Sequence, residues 1–296
     1  MRIFCPFSFV VQKAQEKKQM TERIAIVVVL YNDLPKGYVF KEKEHYVILV
    51  DNTPRRNLGL HGQQLTYIPL GDNLGIAKAL NIGFQKAKEF GVKWVLTMDQ
   101  DSELPENMIS EYFEFLKGRQ EKIGVVSPLK SLWTGDTKTT SDTYFEIEEA
   151  MTSGSLTSVE AFDAVSGFRE ELFIDYVDSF FCYDIRSLGY KVYQLNRVLM
   201  QHQWGNGNEI SFWGHYLCRV SNYECSRHYY LSRNLRSFVK AYGDSIPIQR
   251  LRYVSEIKQY IKILLFEKEK FRKIKARILG ARDYYNGHFG RLEHKI

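Results

Sequence analysis

Ile24-Ala25-Ile26-Val27-Val28-Val29-Leu30-Tyr31-Asn32-Asp33 sets an unbroken apolar, mostly β-branched run directly against polar residues. A strand with one wet face alternates apolar and polar side chains, so a continuous run predicts a strand buried on both faces, with Tyr31-Asn32-Asp33 as its exit loop. Two runs of the same kind follow: Tyr46 to Val50 ends in Asp51-Asn52-Thr53-Pro54, and Leu65 to Pro69 ends in Gly71-Asp72-Asn73. From Gly75 to Phe90 the period becomes helical, with Ile76, Leu80, Phe84 and Ala87 on one side and Asp72 or Asn73 placed to cap the start. Trp94 to Met98 returns to strand, and Pro105 opens a further helix where its missing N–H costs nothing. Strands alternating with helices predict an α/β fold with a mostly parallel central sheet, right-handed crossovers and a ligand at the carboxyl ends of the strands.

Beyond Val125-Val126 the alternation weakens through the polar stretch Lys130 to Asp142. Helices are expected near Thr157 to Ala164 and Tyr176 to Leu188, with a strand at Lys191 to Leu195. From Arg227 the pattern is helical to the end, and Tyr253, Ile257, Tyr260, Ile261 and Leu264 share a face. The expected organisation is therefore an extension over residues 1–22, an α/β domain over 23–225 and a helical region over 226–296.

The 296 residues suffice for one large core, and 19 Phe with 19 Tyr supply more aromatic area than that core needs, so some should line a groove. Cys5, Cys182, Cys218 and Cys225 have neither a disulfide-framework nor a zinc-site spacing, which points to a reducing, cytoplasmic setting. The opening Met1 to Val11 is too short and too broken by Pro6 to read as a secretory segment, and Met20 is a second candidate start. No run approaches the roughly 18 to 20 apolar residues that span a bilayer. The net charge of +6 is concentrated after Arg227, as in Lys268-Glu269-Lys270-Phe271-Arg272-Lys273, which suits either a solvated helix face or contact with anionic lipid at the inner face of a membrane.

Val95-Leu96-Thr97-Met98-Asp99-Gln100-Asp101-Ser102 carries the most chemistry: an apolar strand delivers two carboxylates to its carboxyl end. Both can face one ligand only if the strand has given way to a loop there. Hard carboxylate oxygens in that setting suit Mn²⁺ or Mg²⁺ with open positions for phosphate oxygens. Leu172-Phe173-Ile174-Asp175-Tyr176-Val177-Asp178 is the second constellation, carboxylates again leading into a helix. Helix capping is the bland alternative and fits Asp175 better, because a catalytic base must project from the first turn into the cleft, as Asp178 can. His202, at the end of another apolar run, is a candidate third metal ligand or an ordinary surface or core histidine.

In this order, these segments resemble the family 2 glycosyltransferases of the GT-A fold, in their rhamnosyltransferase-like branch. The resemblance runs from about Ile24 to Leu292 and rests on Val29-Leu30-Tyr31-Asn32, Ile48-Leu49-Val50-Asp51-Asn52, Asp72-Asn73-Leu74-Gly75-Ile76-Ala77-Lys78-Ala79-Leu80-Asn81-Ile82-Gly83, Asp99-Gln100-Asp101-Ser102, Phe173 to Asp178, and Arg227-His228-Tyr229-Tyr230-Leu231-Ser232-Arg233-Asn234. It implies that Tyr31 and Asn32 border a nucleotide, that Asp51 accepts from a pyrimidine imide, and that Asn73, Gly75 and Lys78 pass beneath it. Asp99 would hold the ribose or a metal-bound water, Asp101 the metal itself, with His202 completing the site; Asp178 would be the general base, with Asp175 in reserve. Ser153 and Gly154, with Trp204, would shape the acceptor pocket. Arg227, Tyr230 and Arg233 would clamp phosphate, against the plainer alternative that they brace two helices. One departure is Val177-Asp178, where the family often has paired acidic residues; another is the glycine segment, which reads Ser166-Gly167-Phe168-Arg169.

The implied activity is metal-dependent inverting transfer from a nucleotide-diphosphate sugar, dTDP-rhamnose favoured, to a lipid-linked or polysaccharide acceptor in cell-surface polysaccharide biosynthesis. Nucleic acid is not an expected partner. A nucleotidyltransferase is the rival enzyme, although Tyr31-Asn32-Asp33-Leu34-Pro35-Lys36-Gly37 lacks the glycine-rich phosphate loop it would need. A sugar- or headgroup-binding module is the rival outside enzymes.

Overall fold

The structure is a computed structural model that describes residues 23–34, 44–131, 143–201, 208–213, 215–243 and 246–293. Strands β1 (Ala25–Leu30), β2 (Tyr46–Asp51), β3 (Leu65–Pro69) and β4 (Trp94–Asp99) pair in parallel in the order β3-β2-β1-β4. β1 shows why its run had to be continuous. Ala25 and Val27 enter one core, while Ile26, Val28 and Leu30 enter another on the opposite face. The first core is covered by α1 (Ile76–Glu89), which contributes Ala77, Leu80, Phe84 and Ala87, and the second by α2 (Met108–Leu116) through Met108 and Tyr112.

Past β4 the sheet becomes mixed. β7 (Ser155–Ser158) lies antiparallel between β4 and β5 (Ile123–Ser131), β8 (Lys191–Gln201) runs parallel to β5, and β6 (Tyr144–Glu146) closes the edge antiparallel to β8. β7 occupies the start of the helix expected from Thr157, so that α3 spans only Val159–Ala164. Ser155, Thr157 and Ser158 are small polar residues that pass for a loop, yet neighbours on both sides satisfy their backbone and bury them. A separate antiparallel hairpin, β9 (Asn208–Phe212) and β10 (His215–Val220), was not anticipated either.

The expected α4 spans Val177–Ser187, and the helical region consists of α5 (Cys225–Tyr242), α6 (Ile246–Phe266) and α7 (Lys270–Tyr285). α5 and α7 meet with almost no separation at Gly280, where a Cβ would fall 2.2 Å from the Tyr229 carbonyl oxygen. Buried charges tie the three helices: Glu267 meets His228 at 3.2 Å and Lys273 at 2.7 Å, and Glu256 meets Arg236 and Arg277. No helix among the described residues is long and apolar enough to cross a membrane.

Candidate active site

Register alone gathers the site. Val29 pairs with both Val50 and Asp99, and Leu30 pairs with Asp51, so the exit loops of β1, β2 and β4 leave the sheet at one level. They open onto a cavity of about 520 Å³ whose wall includes Tyr31, Asn52, Asn73, Asp99 and Asp101 and also Asp175, Asp178 and Arg227. β4 ends at Asp99 and turns at once, which meets the condition for Asp99 and Asp101 to face the same space.

The loops are organised by their own side chains. Gln100 accepts from the Tyr31 N–H at 2.7 Å and donates to the Tyr31 carbonyl at 3.0 Å, clasping the β1 and β4 exits together. Asn52 donates to Asn73 Oδ1 at 3.0 Å and accepts from the Leu74 N–H at 2.7 Å. Asn32 adopts φ 63°, a left-handed conformation that asparagine tolerates, with its N–H on Thr53 Oγ1. Neither Asp72 nor Asn73 caps α1: the residue at that position is Gly75, and the Ile76 N–H goes instead to the Phe173 carbonyl at 2.8 Å. Gly75 has φ 88°, and a Cβ on it would stand 2.7 Å from the Phe173 carbonyl oxygen. Its glycine is therefore demanded first by the Phe173 loop.

Asp51 departs from its expected role. It is fully buried, does not line the cavity, and its oxygens receive Arg56 Nε at 2.6 Å, Arg56 Nη2 at 2.9 Å, the Tyr67 hydroxyl at 2.6 Å and the Thr53 N–H at 3.0 Å. Burial would raise its pKa, but the bonds from Arg56, Tyr67 and Thr53 outweigh burial and hold it below the usual carboxylate value. A carboxylate so occupied has no acceptor position left for a base, and it acts on the loop. Arg56 and Tyr67, which complete this cluster, carry no motif that would have announced them.

Other expected residues also stand elsewhere. Lys78 pairs with Glu170 at 3.4 Å and is not part of the cavity wall. Ser153 is buried behind the β4 loop, accepting from the Asp99 N–H at 3.1 Å and meeting Ser102 Oγ, while Gly154 packs on Met200 and Pro128; Thr152 is the residue of that run that faces the cavity. Tyr230 stacks on Phe173, and its hydroxyl accepts from the Leu292 N–H. Arg233 is fully buried and donates to the carbonyls of Gly290, Glu171 and Leu172, so bracing describes both residues and a phosphate clamp does not. His202 and Trp204 lie outside the described residues.

The acidic loop before α4 is the strained part of the site. Phe173, Asp175 and Tyr176 all have positive φ, at 67°, 63° and 65°, a conformation costly for residues with a Cβ. Asn234, which the sequence reading left without a role, holds it: its amide donates to the carbonyls of Leu172, Ile174 and Asp175 at 3.0, 2.8 and 2.9 Å. Asp175 does not cap the helix. The residue before α4 is Tyr176, and Asp175 instead pairs with Arg227 at 3.1 Å, whose guanidinium stacks over Tyr223. Asp178 sits in the first turn of α4 as expected, with one oxygen accepting from the Ser179 N–H at 2.9 Å.

Electrostatically the cavity is acidic. Burial pushes the Asp178 carboxyl up to about 6; the Ser179 N–H and Lys130 pull it down, while Glu149 and Asp175 push it further up. Burial likewise raises Asp99, with Lys130 opposing and Asp101 adding to the rise. Against Asp99, Asp101, Asp175 and Asp178, Arg227 is the one cationic side chain in the cavity wall among the described residues. An anion entering such a space would need a cation with it. Among the described residues no cluster of three His, Cys, Asp or Glu side chains could by itself hold a metal, and the Asp99–Asp101 pair offers two hard ligands with positions left open.

Residues 42–183 match Glycosyl transferase family 2. The chain is 27% identical over 293 residues to the dTDP-rhamnosyl transferase RfbF of Shigella flexneri, covering 90% of this chain and 97% of that one. Among solved structures, residues 1–349 of S. aureus TarS in complex with UDP-GlcNAc superpose with a TM-score of 0.50 at 12% identity, covering 91% of this chain and 93% of TarS. GalNAc-T7 with UDP, GalNAc and Mn²⁺ matches 61% of this chain and 43% of its own length, at a TM-score of 0.48 and 13% identity. Residues 42–183 thus match a glycosyl transferase family 2 domain, the fold is that of the GT-A glycosyltransferases, and nearly the whole chain is similar to a dTDP-rhamnosyl transferase.

Proposed function

We propose that this glycosyltransferase moves rhamnose from dTDP-rhamnose to an acceptor hydroxyl with inversion, Asp178 being the base. One observation carries the reading: Asp178 lines the same cavity as Asp99 and Asp101. A nucleotide lying over Tyr31, Asn52 and Asn73 would bring its diphosphate toward Asp99 and Asp101 and its sugar toward Asp178. Those two carboxylates fit Mn²⁺ or Mg²⁺, which when bound would neutralise the diphosphate leaving group.

Asp178 takes the proton from the acceptor hydroxyl as its oxygen bonds to the anomeric carbon. The bond from that carbon to the β-phosphate oxygen breaks, and the electron pair leaves with the nucleoside diphosphate. Attack from the side opposite the leaving group inverts the centre. Arg227 orients Asp175 beside the base. Rhamnose itself is favoured by the likeness to the Shigella dTDP-rhamnosyl transferase.

For the acceptor we favour a lipid-linked saccharide. α6 leaves Tyr253, Val254, Ile257, Ile261, Leu264 and Leu265 exposed, a broader apolar face than a solvated helix needs, beside the basic stretch that follows it. Flotation with anionic liposomes tests this, and indifference to lipid charge would remove it. For the reaction itself, NMR of the product anomer is decisive: inversion is expected, and retention would rule out single displacement. A melting panel of dTDP, UDP, GDP and CMP with and without Mn²⁺ should show metal-dependent stabilisation by dTDP, lost in Asp101→Ala.

A further inference from the structure

Lys130 stands one residue from the end of β5, paired in register with Met200 on β8. Its Nζ is buried and takes no hydrogen bond among the described residues. An ammonium in that condition is a standing cost to the fold, because three donors have left water without replacement. The charges that act on it are Asp99 and Asp178, the carboxylates at the end of β4 and in the first turn of α4. It is not part of the cavity wall itself.

The neighbours of Asp178 explain why a cation belongs there. Glu149 approaches it from the segment before β7, and its carboxylate is held at the helix start by the Ser179 hydroxyl at 2.5 Å. Asp175 approaches from the strained loop, and Cys182 lies one turn along α4 with its thiol against Ala150. Arg227 is engaged by Asp175. Among the described residues Lys130 is then the cation acting on Asp178, against two anions that push the other way.

We propose that Lys130 is a positioning residue for catalysis, a resident counter-charge that keeps Asp178 a carboxylate at the moment it must accept the acceptor's proton. The inference rests on Asp178 being the base. A neutral side chain of similar length would pack at least as well in this place, and the unpaired charge is retained because the base works through it.

The test reads the base directly, in the full chain without donor or metal. Carboxyl ¹³C resonances of labelled aspartates are titrated in wild type, Lys130→Met and Lys130→Arg, with Asp178→Asn assigning the Asp178 signal by its loss. In wild type the midpoint should lie near 6. In Lys130→Met it should rise by about one unit or more, a tenfold change in the ionisation constant, and Lys130→Arg should restore it. A midpoint in Lys130→Met within a few tenths of wild type overturns the proposal. Should Lys130→Met not fold, Lys130→Gln takes its place under the same criterion. Turnover of dTDP-rhamnose separates the two readings: activity surviving in Asp178→Asn would remove the base, whatever Lys130 does to the titration.

Discussion

The two walls of the cavity are built on opposite plans. On the wall proposed to hold the nucleotide, the ends of parallel strands set the level, and polar side chains close on one another: Gln100 on Tyr31, Asn52 on Asn73, Asp51 on Arg56 and Tyr67. On the base side, a loop with successive positive-φ residues is held from outside by Asn234 and Arg233 of α5, and it carries carboxylates that burial makes reluctant to ionise. The first wall satisfies itself; the second depends on a helix some sixty residues away in sequence. On the proposed mechanism, pre-organised binding and stored strain are thus divided between the donor and the chemistry.

The largest expected effect separates the walls most sharply. Asp178→Asn should lower turnover by on the order of 10² to 10⁴, the usual worth of a positioned base, while stabilisation by dTDP with Mn²⁺ is unchanged. In wild type, turnover should rise with pH through about 6 as Asp178 ionises. The same substitution should stabilise the fold. A carboxyl whose folded pKa lies above its unfolded one binds more protons in the native state, so stability falls as pH rises from about 4 to about 6. At pH 7 the variant should therefore gain on the order of 2–3 kcal/mol, a gain absent below pH 4. Melting curves at the two pH values check the sign, and a neutral-pH loss would mean that Asp178 is paired.

Asn234→Ala comes next. It removes the donors to three carbonyls of the strained loop. The expected cost is about 2–4 kcal/mol in unfolding, with a fall in turnover of about tenfold or more as the base loses its place. Nucleotide stabilisation should survive. If dTDP binding falls in step with turnover, the walls are not independent and the comparison fails.

How much of this was legible follows the same division. Strands β1 to β4, α1 and the Asp99–Asp101 pair could be read because continuous apolar runs and helical spacing are local signals, and because parallel register converts them into shared position. Leu65 to Pro69 is a strand with the expected ends, and Asp178 is in the first turn of its helix. Ser155 to Ser158 misled because its burial comes from strands far away in sequence, and Arg233 misled because a guanidinium that braces carbonyls has the same spacing as one that awaits phosphate. Asp51 kept its position at the strand end and lost its role, since nothing near it in sequence announces Tyr67, and Arg56 looks like any surface arginine.

Tyr67→Phe gives the smallest effect and probes the self-satisfied wall at its most saturated point. The tyrosine hydroxyl donates to Asp51 at 2.6 Å and accepts from the Leu58 N–H at 3.0 Å. A bond to a charged acceptor contributes about 1.5–3 kcal/mol when fully buried, and Tyr67 is only partly so, which puts the loss near 1 kcal/mol. Arg56 keeps both of its bonds to Asp51, so the loop should hold its shape and dTDP stabilisation should change by less than about threefold. The variant also frees one acceptor position on a buried carboxylate beside the nucleotide loops. If Asp51 meets the base directly in the bound state, that freed position should strengthen dTDP or UDP binding several-fold relative to CMP. An unchanged ranking would leave Asp51 as the residue that shapes the loop without touching the ligand.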